Sequence, residues 1–541
     1  MPKSQYVDPG KAFESGYIHF EDIPVCQYNK TLAEEKKIYT KDDFLRIYRD
    51  MAIIREFETM LNDVKTKSNY NGVEYNNPGP AHLSIGQEAS AVGEAYCLDI
   101  NDFSFGSHRS HGEILAKGLS SIHKLTDEEV YDIMKEFLGG SVLSVVEKHM
   151  NGGGNVKELA INFLLYGALA EIFARKTGFN RGLGGSMHAF FIPFGLMPNN
   201  AIVGASAPIA LGAALYKRAN HKKGIIISNC GDGATGRGPV LESLNFASMD
   251  QITKLWGMDG KFSSDGMPIL FNVFNNHYGM GGQTRGETMG FDMVARLGAG
   301  FNPSQMHAER VNGYDPLVVI DAVSRKKELL IQGKGPALLD VVTYRVSGHS
   351  PSDSSTYRTA EEIEAWKAAD PILAFKNKLV GGKIATESEI AKLHEDITAR
   401  MTEIMKLAIN DDISPRMDLN KEPDAISSIM FSNEKRVSME PEREAEMLLP
   451  KDECPRVKEI KGKIRTATDA NGKPVSKMKM YNICDGLFEP IIDKFYDDAT
   501  LVAYGEDNRD WGGAFGIYKK MTEAVPDHRF FNSPISESAI V

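Results

Sequence analysis

Cysteine is scarce in this sequence, with five residues among 541. No two of them form a C-x-x-C pair, and their positions are Cys26, Cys97, Cys230, Cys454 and Cys484. A disulfide framework or a cysteine-rich zinc site needs closely and regularly spaced cysteines, so the sequence argues against both. We therefore expect reduced cysteines with mostly structural roles.

Long apolar runs and an excess of positive charge are also absent. No run approaches the roughly 20 apolar residues of a membrane-spanning helix, and the polar N-terminus lacks the apolar segment of a signal peptide. The formal net charge of -11 and the pI near 5.7 argue against nucleic acid or an anionic membrane as the main partner. We expect a cytoplasmic enzyme or assembly subunit that binds neither.

Three short runs have the composition of buried strands: GIIISNC, PILFNVFNN and ALLDVVTYRV. Helix-like sequence separates each run from the next, which predicts an α/β fold with a parallel sheet covered by helices on both faces. Ligands of such sheets bind outside the carboxyl ends of the strands. The residues that follow the three runs are therefore where chemistry is expected.

Composition divides the chain into four parts. Residues 1–40 form a predicted N-terminal extension, and 41–410 form the main α/β domain. The charged stretch 411–475, with its methionines and prolines, is a predicted linker. A new α/β pattern occupies 476–541, which is too short for an ordinary α/β domain, so we expect a truncated second domain.

The stretch GDGATG directly follows the first run. Its glycines at 231, 233 and 236 have the G-x-G-x-x-G spacing of a dinucleotide-binding turn, and Asp250 is a possible ribose ligand. Asp232 argues against that interpretation, because a carboxylate ~4 Å from a phosphate charge costs about 4 kcal/mol at an effective dielectric of about 20. A divalent cation between the two groups would make both of them its ligands.

Further oxygen ligands follow the second run, where Asn275, Asn276, Tyr278 and Gly279 lie close together in the sequence. An asparagine amide oxygen and a backbone carbonyl two residues later suit the octahedral coordination of Mg²⁺. The two strand ends together predict a site for a diphosphate bound through Mg²⁺.

With GDG followed, after a helix and a strand, by NN, the sequence resembles the thiamine-diphosphate-dependent first component of 2-oxo acid dehydrogenase complexes. The resemblance covers most of residues 40–400 and is to the α-type subunit of that family. It implies a thiamine-diphosphate-binding fold, with Mg²⁺ held by Asp232, the Asn276 side chain and the Tyr278 backbone carbonyl. The residues that would line the diphosphate are Gly231, Gly233 and Ala234.

Other segments match the family in order, beginning with HLSIGQEASAVGEA. SHRSHGEILAKG resembles the segment whose Tyr-Arg pair contacts the diphosphate; Arg109 offers a forked donor for phosphate oxygens, whereas His108 replaces the tyrosine. Val203 and Gly204 would lie near the aminopyrimidine, with a Val203 backbone group binding its edge. His349 follows the third run, on a loop at the mouth of the family's site, and the near-neutral pKa of a histidine suits acid–base or electrostatic work there.

The C-terminal stretch, which includes LVAYGED and PISESAIV, resembles the beginning of the family's β-type subunit. In that subunit a glutamate after P-I-S bonds a ring nitrogen of the aminopyrimidine, and it corresponds to Glu537. The resemblance thus implies a fused architecture, whose remaining β-type part belongs to a longer chain or to another polypeptide. We expect a homo-oligomer, a dimer or larger, with sites between α-type and β-type domains.

Two stretches look inserted relative to the family. The first, 254–268, is rich in Gly, Ser and Asp and is predicted to be a surface loop. The second, 121–170, includes TDEEVYDIMKEFL, a predicted helix capped by Thr126 with Glu129 three residues later. We expect the second insertion to cover the active-site entrance or to make a subunit contact.

The leading functional hypothesis is oxidative decarboxylation of a 2-oxo acid, branched-chain or pyruvate, with acyl transfer to a lipoyl-bearing dihydrolipoyl acyltransferase. Acetoin cleavage with the same cofactor is an alternative, as is a nicotinamide-dependent oxidoreductase that uses the glycine turn. A catalytically silent scaffold is disfavoured, because Asp232, Asn276, His349 and Glu537 are all retained. The catalytic candidates are His349 and Glu537, and the implied cofactors are thiamine diphosphate and Mg²⁺.

Overall fold

The computed structural model describes residues 6–150, 152–257, 262–430, 440–463 and 466–540. Within these ranges no helix is both long and apolar enough to cross a membrane. The β-strands are β1 (Asn69–Tyr70), β2 (Val73–Glu74), β3 (Phe103–Phe105), β4 (Leu196–Met197), β5 (Ile226–Gly231), β6 (Ile269–Asn275), β7 (Tyr278–Gly279), β8 (Gly282–Gln283), β9 (Glu309–Asn312), β10 (Ala337–Val342), β11 (Thr466–Thr468), β12 (Pro474–Lys479), β13 (Ala503–Gly505) and β14 (Phe530–Asn532). The α-helices are α1 (Pro9–Ala12), α2 (Leu32–Ile38), α3 (Lys41–Thr66), α4 (Glu88–Ala95), α5 (His111–Lys124), α6 (Asp127–Glu136), α7 (Ser141–His149), α8 (Val156–Ile172), α9 (Ser206–Ala219), α10 (Gly238–Ala247), α11 (Pro316–Ile331), α12 (Ala360–Ala368), α13 (Pro371–Gly381), α14 (Glu387–Ile409), α15 (Pro455–Gly462), α16 (Ile483–Asp497) and α17 (Glu537–Ile540).

A six-stranded sheet with the order β4-β3-β5-β6-β10-β9 organises the main domain. Each neighbouring pair in it is parallel. The central strands β5 and β6 are buried along almost their whole length, as apolar strands covered on both faces should be. The three strand-like runs of the sequence form β5, β6 and β10, so the predicted parallel α/β sheet is confirmed.

Helices cover both faces of this sheet. Ile226 of β5 and Ile269 of β6 belong to one core with α9 and α10, whereas Ile227 and Leu270, the next residues along the same strands, belong to another core with α11. The change of face from one residue to the next follows from the twofold alternation of side chains along a strand. The predicted covering on both faces is therefore confirmed as well.

The inserted stretch 121–170 ends in a core helix. Its first helix, α6, begins after Thr126 with the predicted capping box to Glu129. Its last helix, α8, is buried at every residue from Leu159 to Ile172 and packs with α5 and α14. An evenly apolar helix must be enclosed by protein. For its α8 part, the expected role at the entrance or in a subunit contact was wrong.

The C-terminal segment has a small core of its own. Phe488 and Phe495 of α16 pack there with Phe530 of β14, and α15, which lies within the predicted linker, contributes Val457 and Ile460. Strands β13 and β14 pair in parallel, as in the beginning of an α/β unit. The four domain boundaries stay a prediction.

The stretch 254–268 is not simply a surface loop, which corrects the prediction in part. Trp256 is fully buried, with its ring centroid 4.9 Å from that of Phe531. Phe262 stacks on His528 at 4.2 Å. These aromatic side chains hold the inserted stretch against the C-terminal segment, whereas residues 258–261 lie outside the described residues.

Candidate active site

A cavity of about 430 Å³ lies at the carboxyl edge of the sheet. Residues that follow four neighbouring strands, β3, β5, β6 and β10, contribute to its wall, as expected for an open parallel sheet. Most of the sequence-predicted site residues line this cavity: His108, Arg109, Val203, Gly204, Gly231, Gly233, Ala234, Asn276, Tyr278 and His349.

Asp232 lies just behind this wall. The residue is 1% exposed. The Asn276 backbone N–H donates to its Oδ1 at 3.2 Å, and the Thr284 hydroxyl donates to its Oδ2. Burial raises the pKa of the Asp232 carboxyl to about 6, although the two hydrogen bonds act in the opposite direction and lower the pKa. The charge is therefore incompletely compensated, which is the condition a bound divalent cation would relieve.

The other two predicted Mg²⁺ ligands lie beside Asp232. The Asn276 side-chain oxygen accepts the Tyr278 backbone N–H at 3.2 Å, and both residues are buried. The turn after β5 approaches β7 so closely that a Cβ at Gly233 would lie 3.0 Å from the Cα of Gly279. Consecutive hydrogen bonds thus link Asp232, Asn276 and Tyr278. A carboxylate, an amide oxygen and a backbone carbonyl are a donor set that suits a hard cation.

Arg109 joins three segments around the cavity. Its Nη1 donates to the Leu83 carbonyl at 2.9 Å, and its Nη2 donates to the His349 carbonyl at 3.0 Å. Burial lowers the pKa of Arg109 to about 9, and the nearby Arg345 charge acts in the same direction. The side chain still carries its charge near pH 7, as a ligand for phosphate oxygens requires.

Two histidines that the sequence singled out are neutral near pH 7. Burial, followed by the charge of Arg109, lowers the pKa of His108 to about 3 and that of His349 to about 4. The near-neutral pKa expected for His349 was therefore wrong, because the sequence does not reveal its burial or the arginine 240 positions away. A neutral imidazole can still accept or pass on a proton.

The loop that carries His349 is fastened by Asp353. The His349 backbone N–H donates to Oδ2 of Asp353 at 2.7 Å, and the Ser355 N–H donates to Oδ1 at 2.8 Å. Burial raises the pKa of the Asp353 carboxyl, but these hydrogen bonds and one donated by the Tyr357 hydroxyl outweigh it and lower the pKa to about 2. The carboxylate therefore stays ionised and holds the loop throughout the neutral range.

Sequence reasoning missed His82 and Arg345, both of which line the cavity. The Nδ1 of His82 lies 3.0 Å from the His349 carbonyl oxygen. Nη2 of Arg345 donates to the Tyr357 hydroxyl at 2.8 Å, and its Nη1 lies 3.4 Å from Nδ1 of His349. Each residue lies within a segment that matches the family, HLSIGQE or YRVSGHS, and this position was the available signal for both.

Val203 and Gly204 form the rim of the cavity just before α9. Gly204 has a φ of +82°, and a Cβ on it would lie 3.0 Å from a methyl group of Val240. Glycine is therefore favoured there by conformation, and the space for a side chain is tight. Val203 is 42% exposed and lines the cavity.

Glu537 does not line the cavity. It is exposed at the beginning of α17, a helix that packs against α9 and α10. The preceding residue, Ser536, donates to the Glu242 carboxylate at 2.7 Å. The role predicted for Glu537 stays a prediction, since within this chain it is separate from the residues around Asp232.

The position of Asp250 argues against the dinucleotide alternative. This residue is exposed and pairs with Lys254 on the next helical turn. It does not line the cavity that contains the glycine turn. A ribose bound at the turn would therefore lack the acidic partner that the sequence pattern had suggested.

Comparisons with known proteins give a consistent result. The family described as "Dehydrogenase E1 component" matches residues 157–415. The "Pyruvate dehydrogenase E1 component subunit alpha type I, mitochondrial" of Ascaris suum is 32% identical over 378 residues, which cover 70% of this chain and 77% of that protein. The "Probable pyruvate dehydrogenase E1 component subunit alpha, mitochondrial" of Caenorhabditis elegans is 29% identical over 395 residues, 73% of this chain and 79% of that protein. The "Pyruvate dehydrogenase E1 component subunit alpha" of Rickettsia felis is 26% identical over 383 residues, 71% of this chain and 96% of that protein.

Proposed function

Because this chain belongs to the dehydrogenase E1 component family, and is an alpha-type thiamine-diphosphate-dependent 2-oxo acid dehydrogenase, we propose that its substrate is pyruvate. The acyl product would pass to the lipoyl group of a dihydrolipoyl acyltransferase. The names of the relatives support pyruvate over the branched-chain acids that the sequence also allowed. The observation that carries the cofactor part of the proposal is that most of the predicted cofactor residues line one cavity.

The residues present fit a Mg²⁺-bound diphosphate. Asp232, the Asn276 side-chain oxygen and the Tyr278 carbonyl would hold the ion, and the buried, incompletely compensated Asp232 carboxylate supports this assignment. Arg109 would bind the diphosphate together with the backbone of the turn after β5. The Mg²⁺ assignment rests on this donor set.

Thiamine diphosphate supplies the electron sink that allows CO₂ to leave a 2-oxo acid. The chain's own contribution is to orient groups and to handle protons at the cavity wall. His349 is held by Asp353 from one side and contacts His82 and Arg109 through its backbone carbonyl. Its neutral ring can accept a proton at a ring nitrogen, while the arginine charges favour binding of the substrate carboxylate.

We infer that the site is completed by a β-type domain from another copy or another polypeptide. The cavity wall is exposed at Ile202, and Ile535 beside Glu537 is 84% exposed, so both surfaces are open to a neighbour. Glu537 would then act in a site other than the one its own Asp232 belongs to. This arrangement requires a dimer or a larger assembly.

A dye-coupled oxidation assay with a substrate panel tests the proposal. The chain, alone and with a β-type polypeptide, is given Mg²⁺, thiamine diphosphate and either pyruvate, 3-methyl-2-oxobutanoate, 2-oxoglutarate or acetoin. We expect turnover of pyruvate, which is lost in Asp232→Ala. Preferential turnover of 3-methyl-2-oxobutanoate or acetoin would overturn the substrate assignment.

A further inference from the structure

Two glutamates lie buried in the core behind the cavity wall, where α4 packs on α5. Glu94 of α4 is 1% exposed and Glu113 of α5 is 7% exposed, and neither lines the cofactor cavity. The charge of Glu94 acts on Glu113, and the Asn229 amide group bonds both carboxyl groups. Ser104, whose hydroxyl donates to Glu94 at 3.2 Å, and Glu113 line the same small cavity of about 10 Å³. The fold therefore brings these two carboxyl groups, the carboxyl pair, together.

Neutral groups supply the hydrogen bonds to the carboxyl pair. Glu94 accepts the amide groups of Asn229 and Asn272 at 2.9 and 2.7 Å. Glu113 accepts the backbone N–H and the hydroxyl of Ser107, each at 3.2 Å. Across the part of the chain that the structure describes, neither carboxyl group forms an ion pair. Two neighbouring carboxyl groups in such a buried site do not ionise together readily, so the pair retains a proton.

The carboxyl pair gives up protons in and above the neutral range. Burial raises the pKa of Glu94 to about 7, although its hydrogen bonds act in the opposite direction. Burial, followed by the charge of Glu94, raises the pKa of Glu113 well above its usual range. Because the two groups interact, the protons belong to the pair and not to one residue.

The surroundings of the carboxyl pair contain two further titratable side chains. Lys117 of α5 lowers the pKa of Glu94 through its charge, and burial lowers the pKa of Lys117 itself to about 7. Burial raises the pKa of Cys230, at the end of β5, to about 12, so this thiol stays neutral. A rise in pH through the neutral range therefore removes positive charge from Lys117 and adds negative charge to the pair.

Hydrogen bonds connect the carboxyl pair to two segments of the cofactor cavity. Ser107, which bonds Glu113, lines that cavity, and its hydroxyl accepts the Arg109 backbone N–H at 3.2 Å. On the other side, the Asn229 carbonyl accepts the hydroxyl of Ser206 at 2.7 Å. Ser206 begins α9 and also lines the cavity. A change in the charge of the pair thus acts directly on the loop that carries Arg109.

We propose that Glu94 and Glu113 are positioning residues that share a proton and set the affinity for the diphosphate through the Arg109 loop. This inference rests on the proposed function, because it takes the cavity to bind a diphosphate. Loss of a proton from the pair adds a negative charge behind the loop, and this charge repels the diphosphate. The affinity for the cofactor should therefore fall as the pH rises through the neutral range.

Titration calorimetry at two pH values tests the proposal. The Kd for thiamine diphosphate is measured with saturating Mg²⁺ at pH ~6.5 and pH ~8.5, in the unaltered chain and in Glu94→Gln. The glutamine keeps an oxygen that accepts hydrogen bonds but cannot ionise. We expect Kd to rise about three- to tenfold more in the unaltered chain than in the variant, as one charge roughly 10 Å away at a dielectric of about 20 would cause. Titration of the cofactor and of Asp232 affects both chains and cancels in this comparison.

Glu136→Gln is the matched control, because Glu136 is an exposed glutamate at the end of α6. It should keep the pH dependence of the unaltered chain. The same pH dependence in Glu94→Gln as in the unaltered chain would overturn the proposal, even if the variant bound the cofactor more weakly at both pH values.

Infrared difference spectra of the unaltered, cofactor-free chain provide a second measurement that needs no variant. Between pH ~7 and pH ~9, above the pKa of Asp232, we expect the C=O stretch of a protonated carboxyl group to disappear. Absence of this change would overturn the shared proton. If thiamine diphosphate binds to none of the chains, the proposed function fails, whereas the infrared spectra still decide whether the carboxyl pair holds a proton.

Discussion

The backbone N–H of Asn276 lies 3.2 Å from Oδ1 of Asp232, which joins the end of β6 to the turn after β5. The two strands pair in parallel up to Gly231 and Phe274, so their carboxyl ends lie side by side. A buried carboxylate is thereby held at the edge of the sheet without a full countercharge.

The first prediction concerns the stability of the protein without cofactors. The folded pKa of Asp232 is about 6, above the unfolded value near 3.9, so the folded state binds the extra proton between these values. This contribution to stability is present below pH ~4 and is lost as pH rises to ~6. In Asp232→Asn, urea unfolding should show up to about 3 kcal/mol more stability at pH 7.5 than in the unaltered chain, and less difference at pH ~4. Equal stability at both pH values would contradict the assignment.

The second prediction concerns Arg109, whose two terminal nitrogens donate to the Leu83 and His349 carbonyls. Lysine keeps the charge but not the forked geometry. Loss of a charged hydrogen bond costs roughly 1.5–3 kcal/mol, so Arg109→Lys should raise the Kd for thiamine diphosphate by about tenfold or more. Titration calorimetry checks this value, with the exposed Arg296→Lys as control. An unchanged Kd in Arg109→Lys would remove the arginine from the diphosphate site.

The third prediction concerns the protonation of His349. Burial and the charge of Arg109 hold its pKa at about 4, so the ring should be neutral at pH 6 and charged only in more acidic solution. Histidine-labelled protein followed by NMR gives the titration midpoint, and His349→Gln identifies the resonance. A midpoint near 6.5 would show that the ring is more exposed to water than the structure indicates.

The fourth prediction concerns Glu113, a positioning residue beneath the loop that carries His108 and Arg109. Its carboxyl group accepts the Ser107 backbone N–H and hydroxyl, each at 3.2 Å. Burial, together with the charge of Glu94, raises the pKa of Glu113 well above its usual range. Glu113→Leu leaves the half-buried Ser107 N–H unpaired, which costs about 1 kcal/mol of stability and should also weaken cofactor binding.

Glu113→Gln serves as the matched control for that change, because its amide oxygen can still accept the Ser107 N–H. Thermal unfolding and the KM for thiamine diphosphate should both stay close to those of the unaltered chain. Identical behaviour of the leucine and glutamine variants would contradict the positioning role.

Local patterns in the sequence were sufficient for the sheet and the glycine turn. The apolar runs of β5, β6 and β10 end in the polar residues that line the cavity, and the order of parallel strands brings those ends together. For this reason the amino-acid sequence alone is enough to group Asp232, Asn276 and Tyr278.

Those local patterns do not predict contacts between residues that are distant in the sequence. His82 meets the His349 loop across 267 positions, and the shifted pKa of His349 depends on this packing and on Arg109. The burial of α8 and Trp256 likewise depends on partners elsewhere in the chain. Glu537 remains the least determined residue, since its predicted role needs a neighbouring chain.

The central claim is that the turn after β5 binds thiamine diphosphate through Mg²⁺ and not a dinucleotide. Thermal unfolding of the unaltered chain and of Asp232→Asn tests it, with Mg²⁺ and thiamine diphosphate or with NAD and NADP. A ligand at 100 times its Kd stabilises a protein by about 2.7 kcal/mol, which such a melt resolves. We predict a higher Tm with Mg²⁺ and thiamine diphosphate only, and only in the unaltered chain. A rise in Tm with a nicotinamide dinucleotide, or an equal rise in Asp232→Asn, would contradict the account.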